Sequence, residues 1–213
     1  MDTIFVDLVR YGHLLTIAVG LGSAAIADFA AISGLRRDAI ADPLPVLLLS
    51  HRLIWPALIG MWLTGLALIG IRTGFQIEAF SPKLFAKLTV VTILTLNAHA
   101  IGRWAMPLLT RARARTGLSS TELWLGALIG GVSAASWLLA LAMGSSAFLA
   151  EAPAALFLVL LPLAYGCAIL IAWLVLGRLQ PAPRTIKIVA SSSPTEGVTQ
   201  YKIGLFPRRA RAV

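Results

Sequence analysis

Cysteine is almost absent. Cys167 is the one such residue in 213, so no disulfide forms within the chain, and its place in an apolar run reads as a small core side chain. Charge is scarce too. Asp, Glu, Lys and Arg together make 13% of the chain, where a soluble domain carries about 25%. Acidic residues are the scarcest, nine against eighteen Lys and Arg, for a net charge of +9. The basic residues fall in short loops and in the tail, as membrane topology demands, so that charge does not indicate a nucleic-acid partner. No glycine-rich phosphate loop, nucleophile elbow or zinc spacing appears, which removes the familiar soluble-enzyme classes. No internal repeat is seen. The first apolar run follows Asp2 and Asp7, lacks a basic leader and continues too long, so no cleavable signal peptide is expected.

Apolar runs are what the chain has in plenty. Hydrophobic residues reach 58% and the mean hydropathy is +0.86. Since about 20 residues cross the hydrocarbon, five stretches qualify: Ile4 to Ile32, Leu44 to Ile71, Leu84 to Leu109, Glu122 to Phe148 and Pro153 to Leu179. The expected fold is an all-α polytopic membrane bundle of five helices over residues 1–180. A mobile basic cytoplasmic tail is expected over 181–213, rich in Pro, Ser and Arg and without helical period. Arginines alternate with helix parity. Arg36 and Arg37 follow the first run, Arg111, Arg113 and Arg115 the third, and Arg178, Arg184 and Lys187 the fifth. The positive-inside rule then puts the N-terminus outside and the C-terminus in the cytoplasm.

Ser119 to Glu122 reads as a capping box opening the fourth run. Gly126, Gly130 and Ala134 follow at four-residue spacing, a face suited to close helix approach. Pro162 predicts a kink in the fifth run. The segment Pro82 to Trp104 reads as the axis of the bundle, because it is apolar enough to span yet carries Lys87, Asn97, His99 and Arg103. Polar groups in hydrocarbon need partners or a function.

Counting depth from each run's midpoint sorts these groups into two layers. His13 lies about 10 Å and Lys87 about 15 Å outward of centre, whereas His51 lies about 10 Å inward and His99 a few Å inward. The outer layer is Arg10, Tyr11, His13 and Lys87. Below His13, Gly20, Ala24, Ala27 and Ala31 share its face, leaving room for a flat, wide group or for close helix packing around one hydrogen-bonded histidine. The inner layer is Asp28, His51, Arg52, Asn97, His99 and Arg103, with Thr92, Thr95, His99 and Arg103 as one stripe. His51 and His99 would face each other as axial ligands of a haem iron, with Arg52 and Arg103 at its propionates. Alternatively, Asp28 would neutralise Arg52 or Arg103.

The first three runs resemble the HemJ-type protoporphyrinogen oxidase family and related small haem-binding membrane proteins. The matching pieces are Tyr11-Gly12-His13-Leu14, His51-Arg52-Leu53, Phe85-Ala86-Lys87-Leu88, and His99 with Gly102-Arg103, within about Phe5 to Leu109. The resemblance implies a functional pair, His13 and Lys87, haem b as cofactor, and oxidation of a porphyrinogen with electrons passed onward. The expectation is therefore a haem-b redox protein of the cytoplasmic membrane. Candidate iron ligands are His13, His51 and His99, cationic anchors are Arg10, Arg52 and Arg103, and Lys87 is the candidate catalytic residue. The competing expectations are a non-catalytic subunit that meets other membrane proteins through the fourth run and the tail, and a small-solute or metal permease lined by the inner stripe.

Reporter fusions test the orientation. Fusions after Arg113 and in the tail should both report cytoplasm, and a periplasmic signal at either site would reverse the assignment.

Overall fold

The computed structural model describes residues 3–34, 42–115, 118–179, 189–190 and 201–202. The chain divides into two compact units, Met1–Pro181 and Ala182–Val213. In the second, β1 (Val189–Ala190) pairs antiparallel with β2 (Tyr201–Lys202). The rest of the tail expected over 181–213 lies outside the described residues, as do Arg36 and Arg37.

The first unit is all-α, and five of its helices are long and apolar enough to cross a membrane. They are α1 (Thr3–Gly34), α2 (Leu44–Thr73), the α3 segment (Pro82–Ala100) with its continuation, α5 (Ser120–Ser145) and α6 (Ala154–Leu179). A π turn, Ile101–Ala105, joins α3 to α4 (Met106–Arg115), and the third span runs through it. The protein is a multi-pass membrane protein. Its exposed Phe29, Leu63, Leu138 and Leu158 suit a hydrocarbon environment, where helices satisfy their own backbone.

Local chemistry explains the helix ends. Pro43 sits in the space beside Gly34, so the end of α1 and the start of α2 meet closely. Gly74, at φ 57°, closes α2 with its N–H on the Gly70 carbonyl at 3.0 Å. Phe75 follows at φ 61°, a left-handed conformation that costs a side chain about 1–3 kcal/mol. Its ring lies over Gly70, 2.7 Å from where a Cβ would stand, and its N–H reaches Thr73 Oγ1 at 3.2 Å. The capping box at α5 is formed in both directions: Ser119 N–H donates to Glu122 at 2.8 Å, and Glu122 N–H donates to Ser119 Oγ at 3.3 Å. Pro162 lies within α6, as does Pro56 within α2.

The helix at the centre is α5 rather than the third span. Half of α5's apolar window is buried, against 28% for the third span and 6% for α6. The reason is its small side chains on several faces: Ala127, Gly131, Ser133, Ala135 and Ser136 are all buried. Two cores form around it. One joins Ala24, Ile54, Leu58, Met61, Leu94, Ala98 and Trp137. The other joins Ala86, Val90, Leu139, Met143 and Phe157.

The close approach on α5 falls one residue from the expected face. A Cβ at Gly131 would lie 2.6 Å from Ile169 Cα on α6, whereas Gly130 has open space and Gly126 only an ordinary 3.5 Å contact with Leu176. Gly131→Ala should therefore destabilise the purified protein by about 1–3 kcal/mol, because backbone cannot rotate aside. Gly130→Ala should be neutral in the same thermal unfolding measurement.

Candidate functional site

Two glycines of α2 let α1 come close enough to lay His13 between the helices. Thr16 Cγ2 occupies the space beside Gly60, 2.6 Å from a Cβ position, and the His13 ring lies against Gly65, its Cε1 3.3 Å from one. His13 Nδ1 is 2.8 Å from Thr64 Oγ1. The Thr64 hydroxyl has one hydrogen, and the Gly60 carbonyl takes it at 2.6 Å. With that hydrogen on the Gly60 carbonyl, Thr64 is placed to accept from the imidazole, which corresponds to the tautomer with its hydrogen on Nδ1, and the Met61 backbone is a further hydrogen-bond partner of His13. In that tautomer Nε2 carries the lone pair, the state in which histidine ligates a metal while its other nitrogen fixes the ring.

Lys87 is half-buried and within electrostatic reach of His13, and equally of Lys83 and Arg72. Lys87 of α3 thus acts electrostatically on His13 of α1. Arg10 does not join it. Its guanidinium holds Asp7 at 2.8 Å on the exposed side of α1, a surface pair worth about 0–1 kcal/mol. Tyr11 is also exposed.

The strip below His13 is closed. The Trp137 indole of α5 fills the space beside Gly20, and Ala24 is buried against Ile54 and Leu58. Of the two arrangements the strip allowed, Gly20 and Ala24 adopt close packing.

The inner layer is a separate place. His51 and Gly65, which carries His13, are fourteen residues apart on α2, about 20 Å along the axis. His51 turns onto the π turn of the third span, with Nε2 2.9 Å from a Cβ position at Gly102. Its Nδ1 is buried without a hydrogen-bond partner among the described residues. Such π turns recur at functional positions. His99, Arg52 and Arg103 are exposed, and Asp28 forms no ion pair with either arginine. The expected stripe therefore lies mostly on the outside of the bundle: Thr92, His99 and Arg103 are exposed, while Thr95 accepts from Trp62 Nε1 at 3.0 Å. Asn97 leaves the layer for the core, donating to the Ile129 carbonyl of α5 at 3.0 Å. Among the described residues, no three of His, Cys, Asp and Glu gather as a metal-binding group, so the candidate donors are single imidazoles.

Thr64, Gly65 and Trp137 were missed by the sequence reading, and Gly102 was noted only within the resemblance. Thr64 had a legible signal, the Gly60-to-Thr64 spacing of small residues that was read in the fourth run but not in the second. No family model matches the chain, and neither a curated protein nor a solved structure matches it.

Thr64→Val removes the acceptor and strands a half-buried imidazole N–H, at about 1–3 kcal/mol. Thr64→Ser keeps the hydroxyl. Thermal unfolding should show the loss for valine and most of it restored for serine.

Proposed function

We propose that this protein is a haem-b-binding redox protein of the cytoplasmic membrane, with N-terminus outside and C-terminus inside. His13 Nε2 is the ligand to iron in this reading, and Lys87 the cation that meets an anionic group of cofactor or substrate. The observation that supports it is the pair of contacts from His13 Nδ1 to Thr64 and from Thr64 to the Gly60 carbonyl, an arrangement that suits an imidazole with its hydrogen on Nδ1 and its Nε2 lone pair available. Likeness of Tyr11-Gly12-His13-Leu14 and Phe85-Ala86-Lys87-Leu88 to the HemJ-type family agrees with the same pair. Haem b, when bound, supplies one-electron chemistry at its iron. The residues fit the iron better than they fit a macrocycle on the Gly20 strip, which Trp137 occupies. If His13 held haem, the Gly20 end of the strip would not be available to it.

Around such a group the chain does three things. Thr64 fixes the tautomer of His13, Gly65 leaves room for the imidazole, and Lys87 balances negative charge where the dielectric is low. A lysine near the end of a span can snorkel, so it is not a sole anchor. The second reading is a helical subunit without cofactor. Trp137 seated on Gly20 favours it, because the closed strip already gives that face a structural role.

The reduced-minus-oxidised visible spectrum of the purified protein separates the two. A haem b spectrum is expected, lost or sharply reduced in His13→Ala. Lys87→Ala should keep part of the haem and lose more of any oxidation of a porphyrinogen. Should His13→Ala keep full haem while His51→Ala or His99→Ala loses it, the site is the inner layer. A colourless protein supports the subunit reading.

A further inference from the structure

The hairpin that joins α2 to α3 is apolar for a connection between two spans. From Thr73 to Pro82 it carries one charge, Glu78, against Phe75, Ile77 and Phe80. Phe75 is 60% exposed and Ile77, which opens the single 3-10 turn Ile77–Ala79, is 67% exposed. Yet the hairpin satisfies most of its own backbone. Gly74, Gln76, Ala79 and Phe80 donate their N–H groups to the carbonyls of Gly70, Thr73, Gln76 and Ile77 at 3.0–3.1 Å. Phe75 N–H reaches Thr73 Oγ1 at 3.2 Å. A loop surrounded by water can leave such groups to solvent, whereas near hydrocarbon they must be met within the chain.

Depth says what covers the exposed side chains. Arg52 and Arg72 bracket nineteen uncharged residues of α2, Leu53 to Ile71. That length is about 28 Å of helix, close to the roughly 30 Å of hydrocarbon. Gly74, at φ 57°, then turns the chain back, and Phe75 follows at φ 61°. The tip of the Phe75 ring thereby returns past Arg72 to Gly70, with Cε2 and Cζ 2.7 and 2.9 Å from a Cβ position there. An exposed ring at the level of Gly70 lies within the apolar span, where its neighbours are acyl chains. A left-handed backbone suits Gly or Asn better than Phe, and placing the ring in lipid offsets that strain. We propose that the α2–α3 hairpin is seated on the lipid surface, with Phe75 anchored among acyl chains beside Gly70 and the Ile77–Ala79 turn lying in the headgroup layer. None of these residues enters the haem reading, so the two are tested separately.

Spin labels read the depth. The full chain carrying Cys167→Ser is reconstituted in phosphatidylcholine vesicles with a single label at Ile77→Cys. Collision with oxygen and with a water-soluble nickel chelate is calibrated against lipids labelled in the headgroup and in the acyl chain. The label should read at headgroup depth, with nickel access well below that of a label in water. A label at Leu63→Cys, an exposed position in mid-α2, should read near the bilayer centre. Phe75→Asn keeps a residue that tolerates the left-handed turn and removes the ring. Nickel access at Ile77→Cys should then rise at least about twofold, whereas Phe75→Trp should keep the low value. Water-like access at Ile77→Cys would put the hairpin outside the bilayer and overturn the proposal. So would unchanged access in Phe75→Asn. Protection from both oxygen and nickel would mean that protein, in these vesicles a second copy of the chain, covers the hairpin, and would overturn the lipid assignment.

Discussion

A polar side-chain atom in hydrocarbon has no water to fall back on, so it must find its partner inside the protein. In this bundle that constraint is largely met by hydrogen bonds between neighbouring helices. His13 meets Thr64 between α1 and α2, and Trp62 meets Thr95 between α2 and the third span. Asn97 meets the Ile129 carbonyl, Lys83 meets Ser146, and Ser136 meets Tyr165 between α5 and α6 at 3.0 Å. Each bond pins the rotation of two helices that apolar packing alone would leave nearly free. The tautomer of His13 is a by-product of the same constraint. Thr64 spends its only hydrogen on its own helix, and what remains is an acceptor.

The second device is the absent side chain. Each buried or half-buried histidine ring rests on a glycine of the next helix, His13 on Gly65 and His51 on Gly102. Gly131 admits the backbone of α6, and Gly20 admits Trp137. Hydrophobic burial does not drive helices together in lipid, so contact area and close approach must do so. This makes the glycines part of whatever the histidines do. A side chain at Gly65 or Gly102 would displace an imidazole directly. The difference between the layers is satisfaction: His13 has its partner, whereas His51 Nδ1 is buried without one among the described residues.

The spans and the capping box were legible because each depends on local composition or on counting along a helix. Rotation was not. A helix that is apolar all round shows almost no periodic contrast between lipid and core, so pattern could not say that Gly131, not Gly130, faces α6. The same blindness put His99 and Arg103 in the interior, whereas both are exposed. It also left undecided whether the strip through Gly20 is open or packed, because nothing in α1 tells which large residue of α5 arrives there. Arg10 was assigned by proximity in sequence to His13, but Asp7 is one turn away on the same helix and engages it first.

The central claim is that His13 holds its hydrogen on Nδ1 and keeps Nε2 free. Nitrogen-15 NMR of the histidine-labelled protein, prepared without added cofactor and assigned with His13→Ala, reads this directly. The account predicts that the His13 Nδ1 signal shows a bound hydrogen and Nε2 the shift of an unprotonated imidazole nitrogen. A hydrogen found on Nε2 instead would mean that the ring accepts from Thr64, and the arrangement would offer no ligand on that side of the bundle.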